Sequence, residues 1–187
     1  MANSPSTADD AAGLETARLL LDIKAVNFRP EEPYTLTAGW ASPVYIDCRW
    51  VISFPDARQR IMQLAGEKLQ REIGFDAIDA VAGGETAGIP YAAWIAEAQS
   101  KPMLYVRKKP KGFGRNAQIE GHFEDGERVL LVEDLATDGG SKVTFIDALR
   151  AAGAEVSDIF VVFFYGAFPG AEKTMSDLGV NLHYLAT

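Results

Sequence analysis

The sequence has few cysteines and histidines and no long apolar run, so it has little that could form disulfides, bind a metal or span a membrane. Its one cysteine, Cys48, cannot form an intrachain disulfide, so a reducing compartment is expected. Its two histidines, His122 and His183, are too few and too scattered for a protein-ligated zinc site. The longest apolar run, 159–168, is far shorter than the roughly 20 residues that span a bilayer. The first 13 residues lack the basic and apolar parts of a signal peptide. These absences predict a cytoplasmic protein with no membrane partner.

Basic residues are also in the minority. The 187 residues include 18 Lys and Arg against 26 Asp and Glu, which gives a formal net charge of −8. This charge argues against non-specific binding to nucleic acid or to an anionic membrane. The length fits one domain with a sizeable core. We therefore predict a disordered polar segment over 1–13 and a single domain over 14–187, with a small N-terminal hood mainly from 14–50 and a core from 55–187.

Strands and helices are predicted to alternate from residue 77 onward. The runs 129–132 and 159–164 are continuously apolar, which is typical of parallel strands covered on both faces. The pattern predicts an α/β fold with a parallel central sheet flanked by helices. We expect helices at 14–26, 55–73, 86–98, 140–152 and 171–178, strands at 77–81, 103–107, 128–133, 158–165 and 181–185, a hairpin within 34–49, and no helical periodicity over 108–126.

A phosphate-binding pattern follows the strand predicted at 128–133. Two acids come first, and a polar, glycine-containing turn leads into a helix; these residues are Glu133, Asp134, Thr137, Asp138, Gly139, Gly140 and Ser141. Such a turn places backbone N–H groups and hydroxyls around one point, and the helix dipole favours an anion there. The acids lie where sugar hydroxyls or a magnesium-bound sugar would be. A simple turn capped by Asp138 is the structural alternative, and it uses the same N–H groups. A Walker B role for the acids wants a P-loop, and the sequence has none.

A basic segment follows the strand predicted at 103–107. It has five cations and no acid over 107–115, and these are Arg107, Lys108, Lys109, Lys111 and Arg115. Gly112 and Gly114 give this segment conformational freedom. In an acidic protein, a cationic loop directly after a strand is suited to close over an anionic group. The alternatives are a solvated loop or a nucleic-acid patch.

The segment 129–142 resembles the phosphoribosyl-pyrophosphate (PRPP) motif of type I phosphoribosyltransferases. That motif has four apolar residues, two acids, two apolar residues, Thr, a small or acidic residue, Gly, then Gly or Thr, and finally Ser or Thr. Three further segments, 35–49, 82–90 and 105–112, are similar to the substrate hairpin, the pyrophosphate loop and the mobile catalytic loop of orotate phosphoribosyltransferases. The resemblance implies the type I phosphoribosyltransferase fold with its N-terminal hood.

The resemblance also implies an activity. A member of this family transfers the ribose 5-phosphate of PRPP to orotate, giving orotidine 5′-monophosphate and pyrophosphate in de novo pyrimidine biosynthesis. The metal is Mg²⁺, held mainly by PRPP and not by a protein site. The implied partners are therefore PRPP and orotate, together with a second copy of the chain. In the implied homodimer the basic loop acts in trans.

The same resemblance assigns roles to individual residues. The catalytic residues are Lys111, Asp134, Glu133 and Arg107, and Lys111 contributes most to the chemical step. The PRPP-binding residues are Arg107, Lys108, Lys111, Glu133, Asp134, Leu135, Ala136, Thr137, Asp138, Gly139, Gly140 and Ser141. The pyrophosphate loop is Gly84, Glu85, Thr86 and Ala87. The orotate-binding residues are Thr137, Val44 and Tyr45.

Several positions depart from the family pattern. Thr37 stands where many relatives have lysine, Ala87 where some have lysine, and Phe113 where the family often has histidine. Near Ala167 many relatives have an arginine that pairs with the orotate carboxylate, and this chain has none. Two alternatives stay open, and these departures motivate the first. One is a phosphoribosyltransferase for another base, such as a purine or uracil. The other is a PRPP-sensing regulator without turnover.

Overall fold

The computed structural model describes residues 7–36, 39–111 and 118–187, apart from the side chains of Thr7 and Ser141. Ten strands are found there: β1 Val26–Phe28, β2 Tyr34–Thr35, β3 Ala41–Ser42, β4 Val44–Ile46, β5 Ala80–Gly84, β6 Met103–Val106, β7 Ile119–Glu120, β8 Val129–Ala136, β9 Asp158–Phe164 and β10 Asn181–Ala186. The α-helices are α1 Thr7–Asp22, α2 Pro55–Glu72, α3 Gly88–Gln99, α4 Gly140–Ala151 and α5 Ala171–Leu178. Within these ranges, no helix is both long and apolar enough to cross a membrane.

The central sheet has six strands in the order β10-β9-β8-β5-β6-β7. The five larger strands run parallel, which confirms the predicted α/β fold with a parallel sheet. The edge strand β7 is antiparallel to β6, with Glu120 opposite Tyr105. It lies within 108–126, where the sequence pattern showed no helical periodicity and no strand was predicted. A strand of two residues is too short to produce a readable alternation.

Strand β8 is covered on both faces, and this explains its continuous apolarity. Leu130 and Val132 pack into a core cluster with residues of α1, α2 and α3. Val129 and Leu131 point to the other face and pack against Phe145 and its neighbours on α4. Each fully buried side chain of this size is worth about 1.5–3 kcal/mol of transfer free energy. Burial on both faces therefore fixes β8, and with it whatever follows at its carboxyl end.

The N-terminal hood is built from short antiparallel pairs. Strand β2 pairs with β3, and β1 pairs with β4, which confirms the predicted hairpin. Two tyrosine hydroxyls fasten the hood to the core. The Oη of Tyr165 accepts a hydrogen bond of 2.7 Å from the N–H of Ile46, and the Oη of Tyr91 donates one of 2.5 Å to the carbonyl of Cys48. The hood therefore lies over the carboxyl end of the sheet.

Helix α1 begins at Thr7, before the start that the apolar spacing predicts. The prediction of disorder over 1–13 is therefore wrong for 7–13. Asp9 forms ion pairs with Lys68 and Arg71, and Glu15 forms one with Arg60. All three cations are on α2, distant in the sequence, so no local pattern could reveal them. Strand β5 likewise begins at Ala80 and not at residue 77, because a 3-10 turn occupies 75–77.

Candidate active site

Two adjacent carboxylates lie near the carboxyl end of β8. Glu133 and Asp134 are only 7% and 8% exposed, and successive residues of a strand point to opposite faces of its sheet. Burial raises the pKa of Glu133 to about 7, against the opposing effect of the Lys142 ammonium group. Burial also raises the pKa of Asp134, and Lys142 opposes that shift as well. The acid pair is therefore a buried and electrostatically coupled centre, not a pair of solvated side chains.

The cation that faces this pair, Lys142, was not assigned a role from the sequence. It comes from the first turn of α4, and its Nζ lies 3.4 Å from Glu133 Oε2. The same Nζ donates a 2.7 Å hydrogen bond to the carbonyl of Leu135. A lysine in the first turn of a helix is disfavoured by the helix dipole. That conflict was the available signal that Lys142 has a specific partner.

The glycine-rich turn after β5 packs directly on Glu133. A Cβ added at Gly84 or Gly88 would overlap the Oε1 atom of Glu133, so only glycine allows this approach. That Oε1 atom is buried and has no hydrogen-bond partner among the residues that the structure describes. The peptide bond between Glu85 and Thr86, within this turn, is cis. The structure thus brings the predicted pyrophosphate loop, Gly84 to Ala87, against the predicted sugar-binding acids.

The turn that enters α4 holds the remaining predicted phosphate-binding residues. Gly139 is the N-cap residue and has a φ of +82°, a left-handed conformation that favours glycine. Asp138 Oδ1 accepts hydrogen bonds from the N–H of Gly140, at 3.1 Å, and from the hydroxyl of Thr137, at 3.3 Å. The Asp138 carboxylate therefore accepts a hydrogen bond from an N–H group that was expected to bind the phosphate. The next residue, Ser141, belongs to the first turn of α4.

Leu135 and Ala136 belong to β8, which extends beyond its predicted end at residue 133. Their carbonyl groups already have partners. The Leu135 carbonyl accepts from Lys142, and the Ala136 carbonyl accepts from the N–H of Tyr165 at 2.8 Å. Both residues therefore position the turn through the backbone. Their assignment to PRPP binding stays a prediction.

The predicted basic segment begins where β6 ends, beside the glycine-rich turn. The N–H of Lys108 donates a 2.7 Å hydrogen bond to Glu85 Oε2. The Lys108 charge also opposes, to a small extent, the rise that burial causes in the pKa of Glu133. Lys111 forms an ion pair with Glu120 on β7, and Arg107 Nη1 lies 3.9 Å from the same carboxylate. The structure therefore places Lys108 beside the predicted pyrophosphate loop, whereas Arg107 and Lys111 face Glu120. Gly112, Phe113, Gly114 and Arg115 lie outside the described residues.

The hood approaches Asp134 through another cation, Arg49. Its positive charge partly opposes the rise that burial causes in the pKa of Asp134, and its Nη2 donates a 2.7 Å hydrogen bond to the Oη of Tyr45. Tyr45 also lies beside the ring of Tyr34, with 5.3 Å between the centroids. Tyr45 is thus bonded to the cation that faces Asp134, while its neighbour Val44 is half-buried in β4; both were predicted to bind orotate. Arg49 was not singled out in the sequence, because no local pattern shows which way its side chain points. Thr37 lies outside the described residues.

No protein-family model matches the chain. Among curated proteins, it is 56% identical over 185 residues to an orotate phosphoribosyltransferase from Ruegeria sp. (strain TM1040), an alignment that covers 99% of this chain and 81% of that relative. The chain belongs to the orotate phosphoribosyltransferase family. The resemblance inferred from four sequence segments is thereby confirmed.

Solved structures of other orotate phosphoribosyltransferases have the same fold. The enzyme from Aeropyrum pernix superposes with a TM-score of 0.79 at 34% identity, covering 91% of this chain and 92% of that one. The Mycobacterium tuberculosis H37Rv enzyme in complex with PRPP superposes with a TM-score of 0.69 at 26% identity, covering 92% and 95% of the two chains. The predicted type I phosphoribosyltransferase fold is therefore confirmed.

Proposed function

We propose that this orotate phosphoribosyltransferase converts orotate and PRPP to orotidine 5′-monophosphate and pyrophosphate, as a step of pyrimidine biosynthesis. Its high identity to relatives of that name supports the reaction. The observation that carries the proposal is the position of Glu133 and Asp134. They lie buried at the end of β8, between the glycine-rich turn, the basic segment and the hood.

This position suits the charge that the reaction develops. As the bond from the anomeric carbon to pyrophosphate breaks and the bond to the orotate nitrogen forms, positive charge accumulates on the ribose. Carboxylates held in a site of low dielectric constant stabilise such charge far more than they would in water. Glu133 and Asp134 would also bind the ribose hydroxyls, and the turn 137–141 would bind the 5-phosphate through its N–H groups.

The leaving group requires positive charge. In the proposed arrangement, Arg107, Lys108 and Lys111 surround pyrophosphate together with the turn from Gly84 to Ala87. Lys108 already lies beside that turn through its hydrogen bond to Glu85. Arg107 and Lys111 would exchange the carboxylate of Glu120 for the more highly charged pyrophosphate. Lys111 would thereby stabilise the charge that develops on the departing oxygen.

We also propose that the reaction depends on Mg²⁺, and the donor set fits that ion. Within the described part of the chain, no three His, Cys, Asp or Glu side chains cluster as metal ligands. Two buried carboxylates are present, and one oxygen of Glu133 has no hydrogen-bond partner among the described residues. This set matches the preference of Mg²⁺ for a few carboxylates together with phosphate oxygens and waters. When bound, Mg²⁺ would neutralise part of the pyrophosphate charge, while Glu133 and Asp134 position the ribose.

We propose further that the protein is a cytoplasmic homodimer in which the basic segment reaches from one subunit into the site of its partner. Lys108 then stays beside the glycine-rich turn of its own subunit, while Lys111 serves the pyrophosphate in the partner's site. An open groove between α2 and α3 supports a dimer, because apolar side chains such as Met62, Phe75 and Trp94 line it. Helix α3 directly follows the pyrophosphate loop, so a partner seated on α3 would lie close to the active site.

The base specificity is tested directly by supplying purified protein with Mg²⁺, PRPP and a panel of free bases. We expect orotate to be consumed, with loss of its ultraviolet absorbance and formation of pyrophosphate. Consumption of a purine or uracil without orotate turnover would contradict the proposed substrate. Binding of PRPP with no turnover of any base would instead indicate the PRPP-sensing regulator.

A further inference from the structure

Arg49 is a cation of the hood that lies close to the end of β8 without being bonded to it. It belongs to the 3-10 turn Cys48–Ser53, which directly follows β4. A tyrosine hydroxyl of α3 donates a 2.5 Å hydrogen bond to the carbonyl of Cys48, so this turn is fixed to the core. The charge of Arg49 interacts with that of Asp134, yet its ion pair is with Asp47.

The guanidinium of Arg49 is oriented by contacts along one edge. Its Nε donates a 3.0 Å hydrogen bond to Asp47 Oδ1, and its Nη2 donates one of 2.7 Å to the Oη of Tyr45. Its Nη1 has no partner among the residues that the structure describes, and the side chain is 56% exposed. The edge formed by Nη1 and Nη2 is therefore open, and two parallel N–H groups on such an edge match the two oxygens of a carboxylate.

The chemistry of orotate creates a need for positive charge on this side of the site. Orotate differs from uracil by a carboxylate, attached to the ring carbon next to the nitrogen that bonds to the ribose. In the proposed function Asp134 lies beside that ribose, so the orotate carboxylate would approach a buried carboxylate. Like charges at short distance repel, and a cation next to both groups offsets the repulsion.

The cations on the other sides of the acid pair are less well placed for this task. The ammonium group of Lys142 is buried and donates a 2.7 Å hydrogen bond to the carbonyl of Leu135. Lys108 lies beside the predicted pyrophosphate loop. The entering base and the leaving pyrophosphate lie on opposite faces of the anomeric carbon, so Lys108 is on the side of the leaving group. Arg49 comes from the hood, which covers the remaining side.

We propose that Arg49 binds the carboxylate of orotate and thereby selects orotate over uracil. The inference rests on the proposed function and deepens it by naming a specificity determinant. It also gives a second role to Tyr45, whose hydroxyl holds the guanidinium with its open edge available.

The test compares two nucleotides that differ only in this carboxylate. Orotidine 5′-monophosphate has it, and uridine 5′-monophosphate lacks it. Isothermal titration gives the Kd of each nucleotide for the wild-type protein and for Arg49→Met, which keeps an unbranched side chain but loses the charge. We expect the wild type to prefer orotidine 5′-monophosphate. Arg49→Met should lose roughly 10- to 100-fold of that preference, because hydrogen bonds to a charged group contribute about that much.

Two further variants separate the geometry of the guanidinium from its charge. Arg49→Lys keeps a positive charge but loses the planar pair of donors, so it should lose part of the preference. Arg29→Leu is the matched control. Arg29 is another cation of the hood, and its guanidinium lies over the ring of Tyr34 at 4.7 Å from the centroid. Its removal should leave the preference unchanged.

The outcomes separate this inference from the proposed function. An equal loss of affinity for both nucleotides in Arg49→Met would overturn the inference, because it would show a general effect on the hood, and so would an unchanged preference. A selective loss for orotidine 5′-monophosphate in a protein that does not consume orotate would support the inference and contradict only the proposed function. If Arg49→Met does not fold, Arg49→Lys compared with Arg29→Leu decides.

Discussion

The carboxyl ends of β8 and β6 hold opposite charges in opposite ways. At the end of β8, the side chains of Glu133 and Lys142 are 9% and 5% exposed and are surrounded by core elements. After β6, the side chains of Lys111 and Glu120 are 36% and 29% exposed, and their ion pair lies near the sheet edge. A buried pair interacts through a low dielectric constant, whereas an exposed pair is typically worth only about 0–1 kcal/mol. The difference indicates that the proposed sugar site is preorganised, while the cations proposed for the leaving group are held by contacts that a substrate can replace.

The largest loss of activity is expected when the cation assigned to the leaving group is removed. Lys111→Ala should lower kcat by about 100- to 1,000-fold, because one preorganised charge-stabilising group commonly contributes that much. The melting temperature should change little, since the side chain is partly exposed. Steady-state kinetics with orotate measure the effect. Lys109→Ala, an adjacent cation without an assigned role, is the control; an equal loss in both variants would show a general charge effect.

The next test asks whether each active site combines the acid pair of one subunit with the basic segment of the other. Lys111→Ala and Asp134→Ala proteins are each expected to be nearly inactive. After mixing and subunit exchange, half of the dimers would be heterodimers with one intact site of two, so about a quarter of the wild-type activity should return. Activity of the mixture compared with that of each variant alone measures this. A mixture no more active than its components, despite demonstrated exchange, would show that the loop acts in cis.

The buried acid also predicts a pH dependence of stability. The folded pKa of Glu133, about 7, lies above its ordinary value of 4.5, so the folded state favours the protonated form. As the pH rises from 4.5 to 7, the wild type should lose on the order of 2 kcal/mol of unfolding free energy relative to Glu133→Gln. Denaturant titrations from pH 4.5 to 8 measure the difference. Glu124→Gln, at an exposed carboxylate, is the control. A constant difference between wild type and Glu133→Gln would contradict the buried, coupled pair.

The smallest effect is expected at the exposed ion pair that follows β6. Glu120→Gln removes the carboxylate that pairs with Lys111 and Arg107, which frees both cations for pyrophosphate. The KM for PRPP should fall by no more than about fivefold, because an exposed ion pair is worth at most about 1 kcal/mol. A large rise in KM would mean that Glu120 positions the segment productively.

Local patterns in the sequence were sufficient for much of the fold and for the composition of the site. The continuous apolarity of β8 predicted a strand covered on both faces, and the acids and glycines after it predicted where ligands meet the sheet. The structure confirms that strand and brings Glu133 against Gly84, far away in the sequence. These features are readable because each depends on residue types at short spacing.

The features that the sequence did not reveal depend on the direction in which a side chain points and on contacts between residues distant in the sequence. Asp9 orders the start of α1 through Lys68, and the two are separated by 59 positions. Lys142 is one cation among many in the sequence, and only the fold shows that it turns back toward Glu133 and not into solvent. Pairings of this kind arise from tertiary packing, which no local pattern contains.

In the proposed arrangement, Glu133 and Asp134 lie beside the ribose of PRPP while the turn 137–141 holds its phosphate. A crystal structure of the protein with PRPP and Mg²⁺ tests it most directly. We expect the ribose hydroxyls within about 3 Å of these carboxylates, or bridged to them by the ion, and the 5-phosphate on the N–H groups at the start of α4. Ordered PRPP bound elsewhere, with both carboxylates still covered by protein side chains, would contradict the account.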